Sequence, residues 1–257
     1  MIYNYHTHTF RCHHAKGTDE EYIKSAIEAG IKYLGFSDHI PFSFPDGHES
    51  FYRVEMSQGE EYIKTIRSLA DKYKNNIQIC VGFEMEYYPS YFEEMLKNAK
   101  NFGADYLILG QHFVADEWPE GIPSGGWTDD ERRLITYVDN VISAIKSGVF
   151  TYVAHPDILR YEGDTRIYRR EMKRLCEAAK NYNIPLEINL LGIRYDKHYP
   201  SDKFFAIAGE VGAPITIGYD AHDSLFLKNN EYIKKAAQLI QAHKLNYIGM
   251  PKLVSIR

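Results

Sequence analysis

The sequence predicts an α/β fold, a distorted (β/α)7 barrel of the TIM type built from parallel strands. Two observations carry this prediction: strand-like and helix-like segments alternate along the chain, and the strand-like segments are continuously apolar. Strands that are buried on both faces are typical of parallel sheets covered by helices. A doubly wound open sheet is the alternative. At 257 residues, the chain fits one barrel domain spanning 1–257.

The strand-like segments are short and rich in apolar, β-branched or aromatic residues. They are 2–9, 33–39, 77–88, 106–113, 150–157, 185–191 and 214–222. Segments with apolar residues at i, i+3 and i+4 predict helices between them. These are 19–30, 57–74, 91–102, 129–147, 167–182, 201–211 and 230–243. In the first helix, Asp19 and Glu20 suit the N-terminus and Gly30 the C-terminal end. Seven repeats of strand and helix follow from this pattern.

Composition excludes several classes of protein. The chain is 44% apolar and 25% charged, as in ordinary globular proteins, and it has no apolar run long enough to span a membrane. No secretory signal is recognisable, and three scattered cysteines indicate a reducing compartment, so we expect a cytoplasmic location. The net charge is −5, and the richest basic run, 166–174, has the spacing of an exposed helix face. Nucleic acid is therefore not expected as a ligand.

Histidines crowd the first strand and the turn after it, in the segment "HTHTFRCHH" that begins at His6. His6 and His8 are two residues apart on a strand, so both side chains point to the same face about 6.6 Å apart. Imidazoles at this separation can bind one cation. A lone histidine would instead be an ordinary core or surface residue, which is the interpretation we give His48, His198 and His243.

Further metal-binding side chains recur at the ends of later strands. The second ends at His39, the third carries Glu84 and Glu86, the fourth ends at His112, the fifth at His155 and Asp157, and the seventh at Asp220 and His222. Six of the seven strand ends thus carry such residues. Because parallel strand ends meet at one mouth of a barrel, the sequence predicts a metal site at the C-terminal mouth. Mixed imidazole and carboxylate ligands suit Zn, Fe or Mn. Glu86 either supports a ligand from behind or makes a polar contact with a lid.

These motifs together resemble the PHP (polymerase and histidinol phosphatase) superfamily. "HTHTFRCHH", "FSDH", "GFEMEYY", "GQHF", "AHPD" and "GYDAH" occur in that family's order along the whole chain. The chain is most similar to the stand-alone histidinol-phosphate phosphatases, which have a (β/α)7 barrel and three metal ions. Two positions depart from the usual pattern: Tyr219 replaces a small residue, and Gln111 precedes His112. Both leave the ligands in place and bear on the identity of the substrate.

The resemblance implies a ligand set for each of three divalent ions. The first would be bound by His6, His8, Glu84 and Asp220, the second by Glu84, His112 and His155, and the third by His14, His39 and His222. His13 would merely line the site. Three divalent cations outweigh two carboxylates, so the mouth would attract a phosphate dianion although the chain is acidic overall.

We therefore expect a phosphomonoesterase acting on a small molecule, with L-histidinol phosphate as the first candidate substrate. Asp157, or Asp220 with His222, is predicted to protonate the leaving alkoxide. Arg160 and Arg194 follow the fifth and sixth strands and are predicted to bind phosphate, although surface arginines are the alternative. The long loops 40–56 and 115–127 are expected either to cover the site as lids or to pack Trp118 and Trp127 against the rim.

Other functions remain as rivals. A PHP phosphoesterase acting on nucleotides or other small phosphate esters is the nearest alternative. A metal-dependent amidohydrolase is less favoured, since that class often uses a carboxylated lysine and no predicted strand end carries a lysine. A metal-holding scaffold and an exonuclease are also disfavoured, because every expected ligand is present and no basic groove is evident. Protein partners and the oligomeric state cannot be predicted.

Overall fold

A computed structural model describes all residues from 1 to 257 and contains one eight-stranded sheet whose neighbouring strands are parallel. The strands are β1 (Tyr3–Asn4), β2 (Tyr33–His39), β3 (Gln78–Met85), β4 (Leu107–Leu109), β5 (Phe150–Val153), β6 (Leu186–Asn189), β7 (Pro214–Gly218) and β8 (Asn246–Tyr247). They lie side by side in chain order. A doubly wound sheet would reverse its order at a switch point, so that alternative is excluded and the barrel-like class is confirmed.

The structure has one strand more than the seven predicted. β8 pairs with β7 through Pro214–Asn246 and Ile215–Tyr247. It contains two exposed residues, which is too short a run to produce a recognisable strand pattern in the sequence.

Eight helices accompany the strands. They are α1 (Asp19–Glu28), α2 (Gly59–Tyr73), α3 (Phe92–Phe102), α4 (Glu131–Ser147), α5 (Thr165–Tyr182), α6 (Leu190–Arg194), α7 (Asp202–Val211) and α8 (Glu231–Ala242). α1 begins with a reciprocal capping box between Thr18 and Glu21. α6 was not predicted, because its five residues continue directly from β6. A cluster of 62 buried hydrophobic residues packs the helices against the sheet. No helix is both long and apolar enough for a membrane crossing.

The barrel interior is filled below the mouth by tyrosines. Tyr3, Tyr5, Tyr106 and Tyr152 form a buried cluster with Ile108 and Ala154. The Tyr106 hydroxyl shares its single hydrogen between the carbonyl oxygens of Tyr5 (2.9 Å) and Phe36 (3.1 Å). Gly35 makes room for it, since a Cβ there would lie 2.2 Å from the Tyr106 hydroxyl oxygen. This tyrosine layer forms the floor beneath the polar mouth.

The chain segments that follow β1 and β7 meet at the mouth. The His8 amide donates to the Ala221 carbonyl at 2.9 Å, and the Ala221 amide donates to the His6 carbonyl at 3.1 Å. This parallel bridge joins the first and the last histidine motifs, although some 210 residues separate them in the sequence.

Candidate metal centre

Glu84 occupies the middle of the mouth. Its side chain is 1% exposed and comes from the interior face of β3. Oε1 lies 2.9 Å from His155 Nε2 and 3.4 Å from His112 Nε2. Oε2 lies 3.3 Å from His39 Nδ1, 3.4 Å from His8 Nε2 and 3.5 Å from His6 Nε2. One buried carboxylate is therefore surrounded by five imidazoles.

Asp220 supplies a second carboxylate just after β7. Its Oδ1 is 3.3 Å from His8 Nε2, 3.5 Å from His6 Nε2 and 3.3 Å from His222 Nδ1. Its Oδ2 accepts a hydrogen bond from Asn189 Nδ2 at 3.1 Å, which fixes the orientation of the carboxylate. Oδ1 is thereby directed at the histidines.

His14, His39 and His222 form a third group, at the rim. The Nε2 atoms of His14 and His222 are 3.0 Å apart, and the ring of His222 stacks on that of His8 at 4.1 Å. Burial, followed by repulsion from His8, lowers the pKa of His222 to about 3 and also lowers that of His14. Neutral imidazole is the form that binds metal.

Several buried atoms in this cluster lack a hydrogen-bond partner. They are His6 Nε2, His8 Nε2, His39 Nδ1 and Asp220 Oδ1. Buried polar atoms are normally paired, because an unpaired one loses its hydration without compensation. His6 Nε2 and His8 Nε2 face both Asp220 Oδ1 and Glu84 Oε2, and His39 Nδ1 faces Glu84 Oε2, at the distances given above. Nitrogen and carboxylate oxygen atoms arranged in this way fit divalent metal ions of the zinc, iron or manganese type.

The nine side chains predicted as metal ligands all lie in this cluster. Ligand atoms within 4.8 Å of one another occur in the sets His6–His8–Glu84, His6–His155–Asp220, His39–Glu84–His112, His14–His39–His222 and His8–Cys12–His222. His39 thus adjoins two of the three predicted ion positions. Cys12, which was not among the predicted ligands, lies beside His8 and His222. His13 is exposed and does not line the cavity.

A layer of carboxylates behind the histidines went unrecognised in the sequence. Glu187, from β6, contacts His6 Nδ1 at 2.9 Å and accepts the His155 amide at 3.0 Å. Asp38 lies 3.4 Å from His8 Nδ1 and accepts the Thr9 amide at 2.9 Å. Such partners fix the ring orientation and direct the opposite nitrogen at a metal. An acidic residue within the apolar strand "PLEINLL" was the available signal for Glu187.

Glu86 makes both of the contacts predicted as alternatives, because it supports His112 from behind and also pairs with Arg53 of loop 40–56. Its Oε1 lies 2.8 Å from His112 Nδ1, which leaves His112 Nε2 facing Glu84. The two departures from the family pattern do not face the mouth. Tyr219 is buried with its ring 5.3 Å from that of Phe226. Gln111 hydrogen-bonds the backbone of Tyr87 and Phe113.

A cavity of about 460 Å³ opens above the cluster. Its walls away from the histidines are mainly aromatic and apolar, formed by Tyr52, Phe113, Pro123, Ile158, Leu191, Tyr195 and Tyr199, with Lys197 as the charged residue. Tyr52 comes from loop 40–56 and Pro123 from loop 115–127, so both long loops reach the mouth. Trp118 stacks on His48 at 4.3 Å, whereas Trp127 is 57% exposed.

Three other predicted site residues do not line this cavity. Arg160 Nε donates to Glu162 at 2.9 Å, and Arg194 pairs with Asp223 at 3.4 Å while its guanidinium lies over the Phe226 ring. Asp157 is buried and accepts the Ser201 amide at 2.7 Å, at the beginning of α7. Burial raises the pKa of Asp157 to about 6. Each of the three is paired with a group that does not line the cavity.

Comparisons with known proteins bear on the family to which this chain belongs. The PHP domain model matches residues 4–190. The chain belongs to the PHP domain family. It is 28% identical over 223 residues to "Probable histidinol-phosphatase" of Deinococcus radiodurans, with 84% of this chain and 85% of that protein covered. It is 24% identical over 260 residues to a protein of the same name from Schizosaccharomyces pombe, with 90% and 84% covered.

A solved structure shares the fold. The histidinol phosphate phosphatase of Lactococcus lactis, in complex with zinc, L-histidinol and phosphate, superposes with a TM-score of 0.72 at 20% identity. The superposition covers 99% of this chain and 97% of that one.

Gly110 gives a test of Glu84's position. A Cβ at residue 110 would lie 1.9 Å from Glu84 Oε1, so Gly110→Ala has to displace that carboxylate. We expect the purified variant to retain at least one metal equivalent fewer than the wild type, measured by plasma mass spectrometry. Gly125→Ala is the matched control, since nothing lies within 4 Å of the added methyl group. A full metal complement in folded Gly110→Ala would contradict the assigned role of Glu84.

Proposed function

We propose that this protein is a metal-dependent phosphomonoesterase whose substrate is L-histidinol phosphate. The observation that carries the proposal is the cluster of unpartnered imidazole and carboxylate atoms beneath a cavity of about 460 Å³. Such a volume is in the range of small-molecule sites. The names of the two relatives support histidinol phosphate as the substrate.

We assign three divalent ions to this centre. One ion each would be held by three sets of side chains: His6, His8, Glu84 and Asp220; Glu84, His112 and His155; and His14, His39 and His222. The short contacts around Glu84, Asp220 and His14 support this division. Bound divalent ions would act as Lewis acids towards phosphate oxygens and would lower the pKa of a coordinated water towards about 7. Glu84 belongs to both of the first two sets, so replacing it should weaken metal binding at both.

The protein's own groups have separate tasks in this scheme. Asn189 and Glu187 hold Asp220 and His6 in place, so the site requires little rearrangement when a phosphate enters. Protonation of the leaving alkoxide by Asp157, or by Asp220 with His222, stays a prediction. Asp220 and His222 lie on the cavity wall, but both are assigned as metal ligands, and their lowered pKa values leave them without a proton at neutral pH. The pKa of Asp157 is raised to about 6, but Asp157 does not line the cavity.

The apolar wall suits a flat organic group on the phosphate ester. Tyr52, Tyr195 and Tyr199 can pack against an imidazole ring while the phosphate faces the metal ligands. This division of the cavity supports a leaving alcohol that carries an aromatic ring, such as histidinol.

One observation favours a second candidate, a phosphatase acting on nucleotides or other anionic esters. Glu84 and Asp220 are the two carboxylates that line the cavity, and both face the histidines. The ammonium group of histidinol therefore has no separate carboxylate to pair with there. Lys197 would instead attract a second negative charge.

The discriminating experiment combines metal analysis with phosphate release from a panel of esters. We expect close to three metal equivalents, and at least tenfold higher kcat/KM for L-histidinol phosphate than for nucleoside monophosphates or p-nitrophenyl phosphate. A nucleotide-biased profile would select the second candidate. A metal-loaded protein that releases no phosphate from any ester would contradict both.

Lys197 provides a test of how the phosphate ester is bound. Lys197 is the one lysine or arginine on the cavity wall. We therefore expect Lys197→Met to raise KM about tenfold with little change in kcat, which is the effect of losing one charged hydrogen bond to the substrate. Phosphate binding by Arg160 and Arg194 stays a prediction, so Arg160→Met and Arg194→Met are measured alongside. A larger KM effect in either arginine variant than in Lys197→Met would reverse this ranking.

A further inference from the structure

Arg53 is a buried guanidinium held between carboxylates from two different parts of the chain. Its side chain is 1% exposed. Its Nη1 lies 2.9 Å from Glu86 Oε2, and its Nη2 lies 2.7 Å from Glu117 Oε2. Glu86 follows β3, and Glu117 belongs to loop 115–127. We call Arg53, Glu86 and Glu117 the Arg53 clamp.

The charges of the Arg53 clamp do not cancel by themselves. Two carboxylates share one guanidinium, and Glu86 is fully buried. A buried carboxylate needs compensation by charge or by hydrogen bonds. The second partner of Glu86 is His112, whose Nδ1 lies 2.8 Å from Glu86 Oε1. If His112 donates this hydrogen, its Nε2 is left as a free acceptor directed at Glu84, 3.4 Å away.

Glu117 extends these contacts to loop 40–56 as well as to its own loop, 115–127. Its carboxylate accepts hydrogen bonds from the hydroxyl groups of Ser50, Tyr52 (2.7 Å) and Tyr88 (3.1 Å). Ser50 and Tyr52 belong to loop 40–56. The Tyr52 ring lines the cavity, with its centroid 5.2 Å from that of His39. One ion-paired group therefore joins loop 40–56, loop 115–127 and a candidate metal ligand.

We propose that Arg53 is a positioning residue that couples both loops to metal binding through Glu86 and His112. The proposal rests on the metal centre described above and goes beyond the proposed reaction. Arginine suits this role because its planar fork reaches two carboxylates at once, which a lysine ammonium does not reproduce. The fixed conformation of both loops and the retention of the metal ion at His112 then depend on the same guanidinium group.

The first test is Arg53→Met, with Arg67→Met as the matched control. Arg67 pairs with Asp105 at 3.3 Å, and its side chain is 42% exposed and remote from the mouth. Metal retention is measured against increasing EDTA, and amide hydrogen exchange is followed in both loops. We expect Arg53→Met to lose one metal equivalent at about tenfold or more lower EDTA than the wild type. Exchange should accelerate in 40–56 and in 115–127, and Arg67→Met should match the wild type.

A second variant keeps the proposal testable if Arg53→Met fails to fold, since that change leaves two buried carboxylates without their cation. Glu86→Gln retains the pair of Arg53 and Glu117 and removes the charge beside His112. We expect the same loss of metal retention, with hydrogen exchange in loop 115–127 unchanged. Metal retention within twofold of the wild type in Glu86→Gln, or in folded Arg53→Met, overturns the proposal.

These readouts need no substrate. A wild-type protein that binds metal but hydrolyses no ester would contradict the proposed function, while the comparison of variants would still decide the role of Arg53.

Discussion

The contact of one buried carboxylate, Glu84, with five imidazoles is the interaction on which the mouth of this barrel depends. Burial alone would raise the pKa of Glu84, but the surrounding histidines, His112 and His6 foremost, hold that pKa well below its usual range. An ionised carboxylate at this depth is costly unless cations or hydrogen-bond donors compensate it. The protein thus maintains a negative charge where metal ions would be most strongly attracted.

The barrel provides this arrangement by bringing distant segments together at strand ends. Glycines let the carboxylates lie close to neighbouring strands. Gly110 leaves room for Glu84, and a Cβ at Gly218 would lie 1.8 Å from Glu187 Oε1. The tyrosine layer beneath closes the interior, and the Tyr106 hydroxyl group is hydrogen-bonded to the backbone there. Because so many polar atoms of this site are unpartnered, we expect the metal-free protein to have a lower free energy of unfolding. The free energy of metal binding adds to the stability of the folded state.

Sequence reasoning brought most of the candidate ligands together because they stand at or just after the ends of strands, where geometry follows from the alternation of strand and helix. His6 with His8, and Asp220 with His222, illustrate this. His14 lies in a turn further along the chain, and it was assigned only through the resemblance to the PHP family. Positions that depend on loop conformation could not be predicted: Arg160 and Arg194 turn towards surface carboxylates, and Asp157 turns towards the start of α7. Arg53 had no recognisable signal, because its partners Glu86 and Glu117 are 33 and 64 residues away in the sequence. β8 and α6 were missed because both are very short.

We infer that these side chains bind a cluster of metal ions rather than forming a polar core. The most direct measurement is anomalous X-ray diffraction from crystals of the protein loaded with zinc or manganese, with data collected on both sides of the metal absorption edge. We expect three anomalous peaks a few ångströms apart, bordered by Glu84, Asp220 and the seven histidines. A map with no peak beside Glu84, in crystals whose metal content is confirmed by fluorescence, would contradict metal binding at this cluster.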